Sequence, residues 1–295
     1  MNGSIFVSLT CAICSPFFEA LMNITDKFVI SSRVRKPMSY AVVEGAVNLS
    51  LGVLLALCLD WSVVTSWKMI MYPAIAGVIY GLQYYIYYHL LSKEDVSTVV
   101  GLIYLYPVIV ALLSFVFLGE KFSLITYGGI ALILVGGLML SLKGRSFKGG
   151  SGLGLMTAII LMVAIYEFVI KLATSELPVL QGLAVSLICV GLTLELALFH
   201  GTTRRGVPTE FRNLPWVLLG NSLALGGMAT LYFAMAGMPA TIVATICATQ
   251  PLLVLFLEKL FHFFGVKMCS DERLLPKLIP VTIMVCGIIM LYEIV

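Results

Sequence analysis

Ten apolar stretches follow one another along this chain, with short polar breaks between them. They cover residues 5–30, 38–59, 69–91, 97–118, 123–142, 152–171, 178–200, 214–236, 241–262 and 278–294. A bilayer's hydrocarbon core is about 30 Å thick and takes roughly 20 helical residues to cross. No water is available there to satisfy backbone polar groups, so each stretch must be a helix. The breaks carry the charge: Arg33, Arg35, Lys36 and Pro37 close the first stretch, Lys93, Glu94 and Asp95 the third, and Glu120 with Lys121 the fourth. The fold expected is an all-α membrane protein of ten transmembrane helices. Composition agrees, with 60% hydrophobic and 11% charged residues where a soluble domain carries about 25% charge.

The basic residues sit in connecting segments rather than in a patch, so no nucleic-acid partner is expected. Arg33, Arg35, Lys36, Lys93, Lys143, Arg145, Lys148, Arg204, Arg205, Arg212, Lys267, Arg273 and Lys277 fall on one side of a ten-span bundle, and Lys68, Lys121 and Lys171 on the other. The positive-inside rule makes the first side cytoplasmic. Both termini are then outside, in the cell (inner) membrane. Cys11 and Cys14 have a redox-like spacing without the strand-then-helix context of a redox motif, and read as small apolar side chains in a helix. Glu19 and Asp26 interrupt the first apolar run and nothing basic precedes Lys27, so no secretory leader is expected.

The two halves resemble each other. YYHLLSKEDVSTVVGLIYLYP (87–107) and YFAMAGMPATIVATICATQP (232–251) both run from an aromatic pair through a break to a proline. FLGEK (117–121) matches FFGVK (263–267), LILVGGLML (132–140) matches TIMVCGIIML (282–291), and KFVIS (27–31) matches EFVIK (167–171). The chain then divides into a five-helix repeat over 1–142, a cytoplasmic linker over 143–151 and a second repeat over 152–295. An odd number of spans inverts one repeat against the other, which favours a central site and alternating access.

On the LIYLYP-to-LGEK stretch (102–121), the glycine-rich fifth helix and the weaker second copy, the chain resembles the EamA-like branch of the drug/metabolite transporter superfamily. Val266 stands where the first copy has Glu120. The resemblance implies secondary transport of a small molecule. Members export amino acids and other metabolites, and distant relatives carry nucleotide sugars. Many members are expected to have cytoplasmic termini, whereas the loop charges of this chain place them outside.

Ionisable groups at membrane depth are costly and mark candidate sites. Glu19, Asn23 and Lys27 recur every four residues on one face of the first helix, with Glu19 as a proton or cation site. Glu167 and Lys171 make an i, i+4 pair on the sixth span, read as an ion pair near a membrane surface or a gate. Tyr104 and Tyr106 lie too deep for an interfacial belt. Tyr106 with Pro107 and Gln250 with Pro251 are repeat counterparts whose prolines free backbone carbonyls. On the third span Gln83 and Tyr84 are candidate pore residues, while Tyr87, Tyr88 and His89 read as a belt at the cytoplasmic end. Glu44 and Glu195 are expected to pair with nearby arginines. Gly128, Gly129, Gly136 and Gly137 let the fifth helix approach a neighbour.

No H-E-x-x-H, Walker A or G-x-S-x-G motif and no metal-ligand cluster appears, so neither enzymatic activity nor a cofactor is expected. The partners expected are a small-molecule substrate, the lipid bilayer and protons, with the protein a monomer or homodimer. The alternative reading is a flippase for a lipid or lipid-linked headgroup on the same fold.

Overall fold

A computed structural model describes residues 3–91, 103, 105–142, 150–263 and 278–291. Helices α1 (Gly3–Ser32), α2 (Pro37–Leu57) and α3 (Trp67–Leu91) open the chain. α4 (Tyr106–Leu113) runs on through a π-helical turn, Ser114–Leu118, and α5 (Leu124–Leu142) follows. α6 (Gly150–Glu176) and α7 (Val179–Glu195) begin the second half. α8 (Gly201–Glu210), α9 (Leu214–Gly237), α10 (Ala240–Cys247), α11 (Gln250–Phe263) and α12 (Leu278–Leu291) complete it. No strand occurs among the described residues. Seven of the helical runs are long and apolar enough to cross a membrane, and Tyr106–Leu118 and Leu124–Met139 are shorter apolar helices. The expected linker at 143–151 lies outside the described residues up to Gly150, where α6 begins, as does the basic loop beyond Phe263.

Prolines set several boundaries. Pro37 opens α2, where its fixed φ suits a helix start and its missing N–H costs nothing. Pro239 separates α9 from α10 through an extended Met238. α4 restarts at Tyr106 beside Pro107, and α11 at Gln250 beside Pro251. The π-turn ends at Gly119, whose φ of 68° is the left-handed conformation that glycine adopts without strain.

The halves pack across each other. α1 lies along α9, α2 along α7, α5 along α12, and α3 along both α6 and α7. Small residues make the contacts close. A Cβ added at Gly191 of α7 would meet the Gly45 carbonyl oxygen of α2 at 2.7 Å. One added at Gly287 of α12 would meet the Gly129 oxygen of α5 at the same distance. In lipid, with no hydrophobic drive between helices, such close backbone approach supplies the van der Waals contact that holds them.

The connection between the seventh and eighth apolar stretches is helical. Glu210, fully buried, accepts the backbone N–H groups of Arg35 at 3.1 Å and Lys36 at 3.3 Å and the Asn213 amide at 2.8 Å. Ser39 donates to the Thr203 carbonyl at 2.8 Å. The Arg33 guanidinium stacks over Trp216 at 5.0 Å. One end of the bundle is thereby tied together by its own connections.

Candidate functional site

A cavity of about 80 Å³ lies between α1, α3, the start of α4 and α6. Each helix gives it one face. α1 contributes Glu19, Met22 and Asn23, and α3 contributes Tyr80, Gln83, Tyr84 and Tyr87. Ile103 and Tyr106 come from the α4 side, and Ile159, Val163, Tyr166 and Glu167 from α6. Spacings of three and four residues align these side chains on single helical faces. The position of Glu19 depends on α9, since a Cβ at Gly227 would come within 3.0 Å of Glu19 Cγ.

The lining is aromatic and acidic. The Tyr80 and Tyr166 rings lie 4.8 Å apart, and Tyr80 meets Tyr84 edge-on at 5.1 Å. The hydroxyls of Tyr80 and Tyr84 are 3.4 Å apart. Tyr87 donates to Asn23 Oδ1 at 2.6 Å, and Tyr106 to the Ala244 carbonyl at 3.4 Å. Glu167 is 4% exposed, and its Oε2 has no hydrogen-bond partner. Glu19 and Glu167 feel each other's charge. No basic side chain is among the described residues lining the cavity. Such a surface attracts a cation twice over, by charge and by the negative faces of the tyrosine rings.

Of the residues singled out in the sequence, Glu19, Asn23, Gln83, Tyr84, Tyr106 and Glu167 meet at this cavity. Lys27 does not line it; its Nζ donates to the Leu91 carbonyl at the end of α3, at 2.9 Å. Gln250 is fully buried, does not line the cavity, and has neither side-chain polar atom bonded. Tyr104 lies outside the described residues. The cavity adds Tyr80, Tyr87 and Tyr166. Tyr80 was visible as the first member of the α3 tyrosine stripe, and Tyr166 as the neighbour of Glu167.

Several expectations need correcting. Tyr87 and Tyr88 form no lipid-facing belt; they are 7% and 0% exposed. Their i, i+4 partners turn that face of α3 into the bundle. Glu167 makes no ion pair with Lys171 near a membrane surface: it faces the cavity, while Lys171 Nζ donates to the Met235 and Met238 carbonyls at 2.7 and 2.8 Å. Glu44 is buried and takes a hydrogen bond from the Tyr88 hydroxyl in place of an arginine. Lys27 to Leu91 and Lys171 to Met235 both span 64 residues.

Residues 6–142 match the EamA-like transporter family, within the drug/metabolite transporter superfamily. No curated protein matches the chain significantly. A crystal structure of another protein, 15% identical, superposes on 99% of this chain and 98% of its own with a TM-score of 0.71, a likeness of fold.

Proposed function

We propose that this chain, an EamA-like transporter by its residues 6–142, is a secondary carrier of small amine-bearing or cationic organic solutes. One observation carries the substrate class: the cavity is lined by two carboxylates and five tyrosines, with no basic side chain among the described residues lining it. Its volume of about 80 Å³ is well below the roughly 300 Å³ at which organic-ligand sites begin. A solute therefore enters only when helices part, as alternating access requires. No ATP-binding motif is visible in the sequence, so a gradient drives transport.

We read the architecture as ten spans in two inverted repeats. The pairing of α2 with α7 and of α5 with α12, and the matched lysine contacts, support this reading. The basic loops face the cytoplasm and both termini lie outside. The anionic-lipid flippase is disfavoured, because an acidic cavity repels a phosphate headgroup.

The test is thermal stabilisation of purified protein by amines, amino acids, nucleotide sugars and lipid phosphates, followed by flux in liposomes. A binder of the native state raises its melting temperature by mass action. An amine that stabilises the wild type and crosses the bilayer, but fails to stabilise Glu19→Gln or Glu167→Gln, is the expected result. Stabilisation by lipid phosphates alone, without soluble flux, would overturn the reading.

A further inference from the structure

A second acidic site lies beside the cavity and is walled off from it. Asp26 of α1 and Glu44 of α2 are 1% and 4% exposed. Both face a niche shared with Met22, Tyr84 and, from α9, Gly220 and Asn221. Tyr88 donates to Glu44 Oε2. Asp26 Oδ2 is buried without a hydrogen-bond partner, and so is the Tyr40 hydroxyl one turn before Glu44. The niche has no room for a water-sized sphere.

Charge makes this arrangement untenable with both groups ionised. The two carboxylates lie within electrostatic reach of each other. Like charges buried together in a medium of low dielectric cannot both persist without a counter-ion. Lys27, next to Asp26 in sequence, turns its ammonium to the Leu91 carbonyl. Among the described residues, the other groups that act on the pair carry no positive charge. Tyr80, Tyr84, Tyr87 and Tyr88 come from α3 and Tyr40 from α2. Glu19 acts on Tyr80 from α1, and Glu210 acts on Tyr40 from α8. α9 offers the neutral Asn221, whose amide donates to the Val217 carbonyl at 3.0 Å. α7, packed against α2, ends at Glu195. A metal cation needs space and several oxygen ligands, and the niche offers no such space. A proton needs neither.

We propose that Asp26 and Glu44 form a proton-binding site that couples proton movement to solute transport. It rests on the carrier reading above and differs from a role for Glu19. A proton from water on one side of the membrane forms an O–H bond on one carboxylate. It returns to water on the other side when the helices part. Met22 and Tyr84 line both niche and cavity, so a solute that moves these side chains disturbs the acid pair, and protonation of the pair alters the cavity wall.

The experiment is an infrared titration of the purified full-length protein without solute, following the carbonyl stretch of protonated carboxyl groups. Asp26→Asn, Glu44→Gln and Tyr88→Phe are compared with the wild type. In the wild type a component of the band disappears as pH rises, and either carboxylate variant lacks it. Tyr88→Phe keeps the ring packing and removes one hydrogen bond to the carboxylate, so it displaces the midpoint by about tenfold in proton concentration. If a carboxylate variant does not fold, Tyr88→Phe carries the test alone. A titration unchanged in every variant that folds overturns the proposal. Because no solute is present, that result would leave the carrier reading intact.

Discussion

The two ends of the bundle solve one problem with unequal means. At one end Lys27 of α1 holds the last carbonyls of α3 through Leu91. At the other, Lys171 of α6 holds the last carbonyls of α9 through Met235 and Met238. Both lysines answer the same need. A helix ending inside a bundle leaves carbonyls unsatisfied, and a cation there also complements the helix dipole. The second end then adds a contact from the LGEK stretch. Glu120 accepts the Ala240 N–H at 2.7 Å, the Thr241 N–H at 3.1 Å and the Thr241 hydroxyl at 2.7 Å. It caps the start of α10 just beyond the break that Lys171 closes from the other side. At the Lys27 end the carboxylate is Glu210, which accepts the Arg35 and Lys36 N–H groups at 3.1 and 3.3 Å. The comparison teaches that the two ends, tied by Lys27 and Glu210 at one and by Lys171 and Glu120 at the other, meet the same need with different contacts.

The largest expected effect comes from breaking the Glu120 end. Glu120→Gln combined with Lys171→Met removes charge-assisted bonds worth about 1.5–3 kcal/mol each. In a background lacking native cysteines, a cysteine placed at Val163 in the cavity wall should then react at least about tenfold faster with a membrane-impermeant maleimide added on the Glu120 side. An unchanged rate would mean that the latch does not set the resting state. Lys27→Met tests the other end. It should favour labelling from the Lys27 side by a smaller factor, because the Glu120 end still has to open for turnover. Labelling from both sides of reconstituted vesicles reads this directly.

A stability measurement sharpens the comparison further. Glu120→Ala leaves two backbone N–H groups of α10 uncapped and should cost about 1–2 kcal/mol. That is a fall of roughly 2–8 °C in melting temperature for a protein of this size. The same measurement on Glu120→Gln should show a smaller fall, since the amide oxygen can still accept. The smallest effect belongs to Gly119→Ala, just before the cap. No atom of the described residues lies within 4 Å of the added Cβ, so the left-handed backbone opposes it, at about 1 kcal/mol. A larger loss would show that Gly119 also sets the direction of Glu120.

The cavity was partly legible before the structure. Glu19 with Asn23, and Gln83 with Tyr84, stood out because a polar group deep in an apolar helix is costly and the helical repeat puts neighbouring turns on one face. Lys27 shows where that logic fails. Eight residues beyond Glu19 is about 12 Å along the axis, enough to carry a side chain out of the cavity and onto the end of another helix. Tyr87 and Tyr88 failed for a different reason. Aromatic residues near a helix end suit either a headgroup belt or a buried network, and only the neighbouring helices distinguish these.

The sequence by itself determined that this chain is a helical membrane protein and where its apolar runs lie, and it suggested that the two halves echo each other. These follow from local quantities: the length of an apolar run, the position of a proline, the recurrence of a short pattern. Which carboxylates share a compartment was decided only by tertiary structure. Asp26 lies seven residues from Glu19, on the same helix, yet it faces Glu44 in a separate niche while Glu19 faces Glu167 in a cavity. Seven residues are almost two full turns, so both face the same way and lie about 10 Å apart along the axis; the approach of α2, α3, α6 and α9 makes the choice, and that is not written in the spacing along one helix.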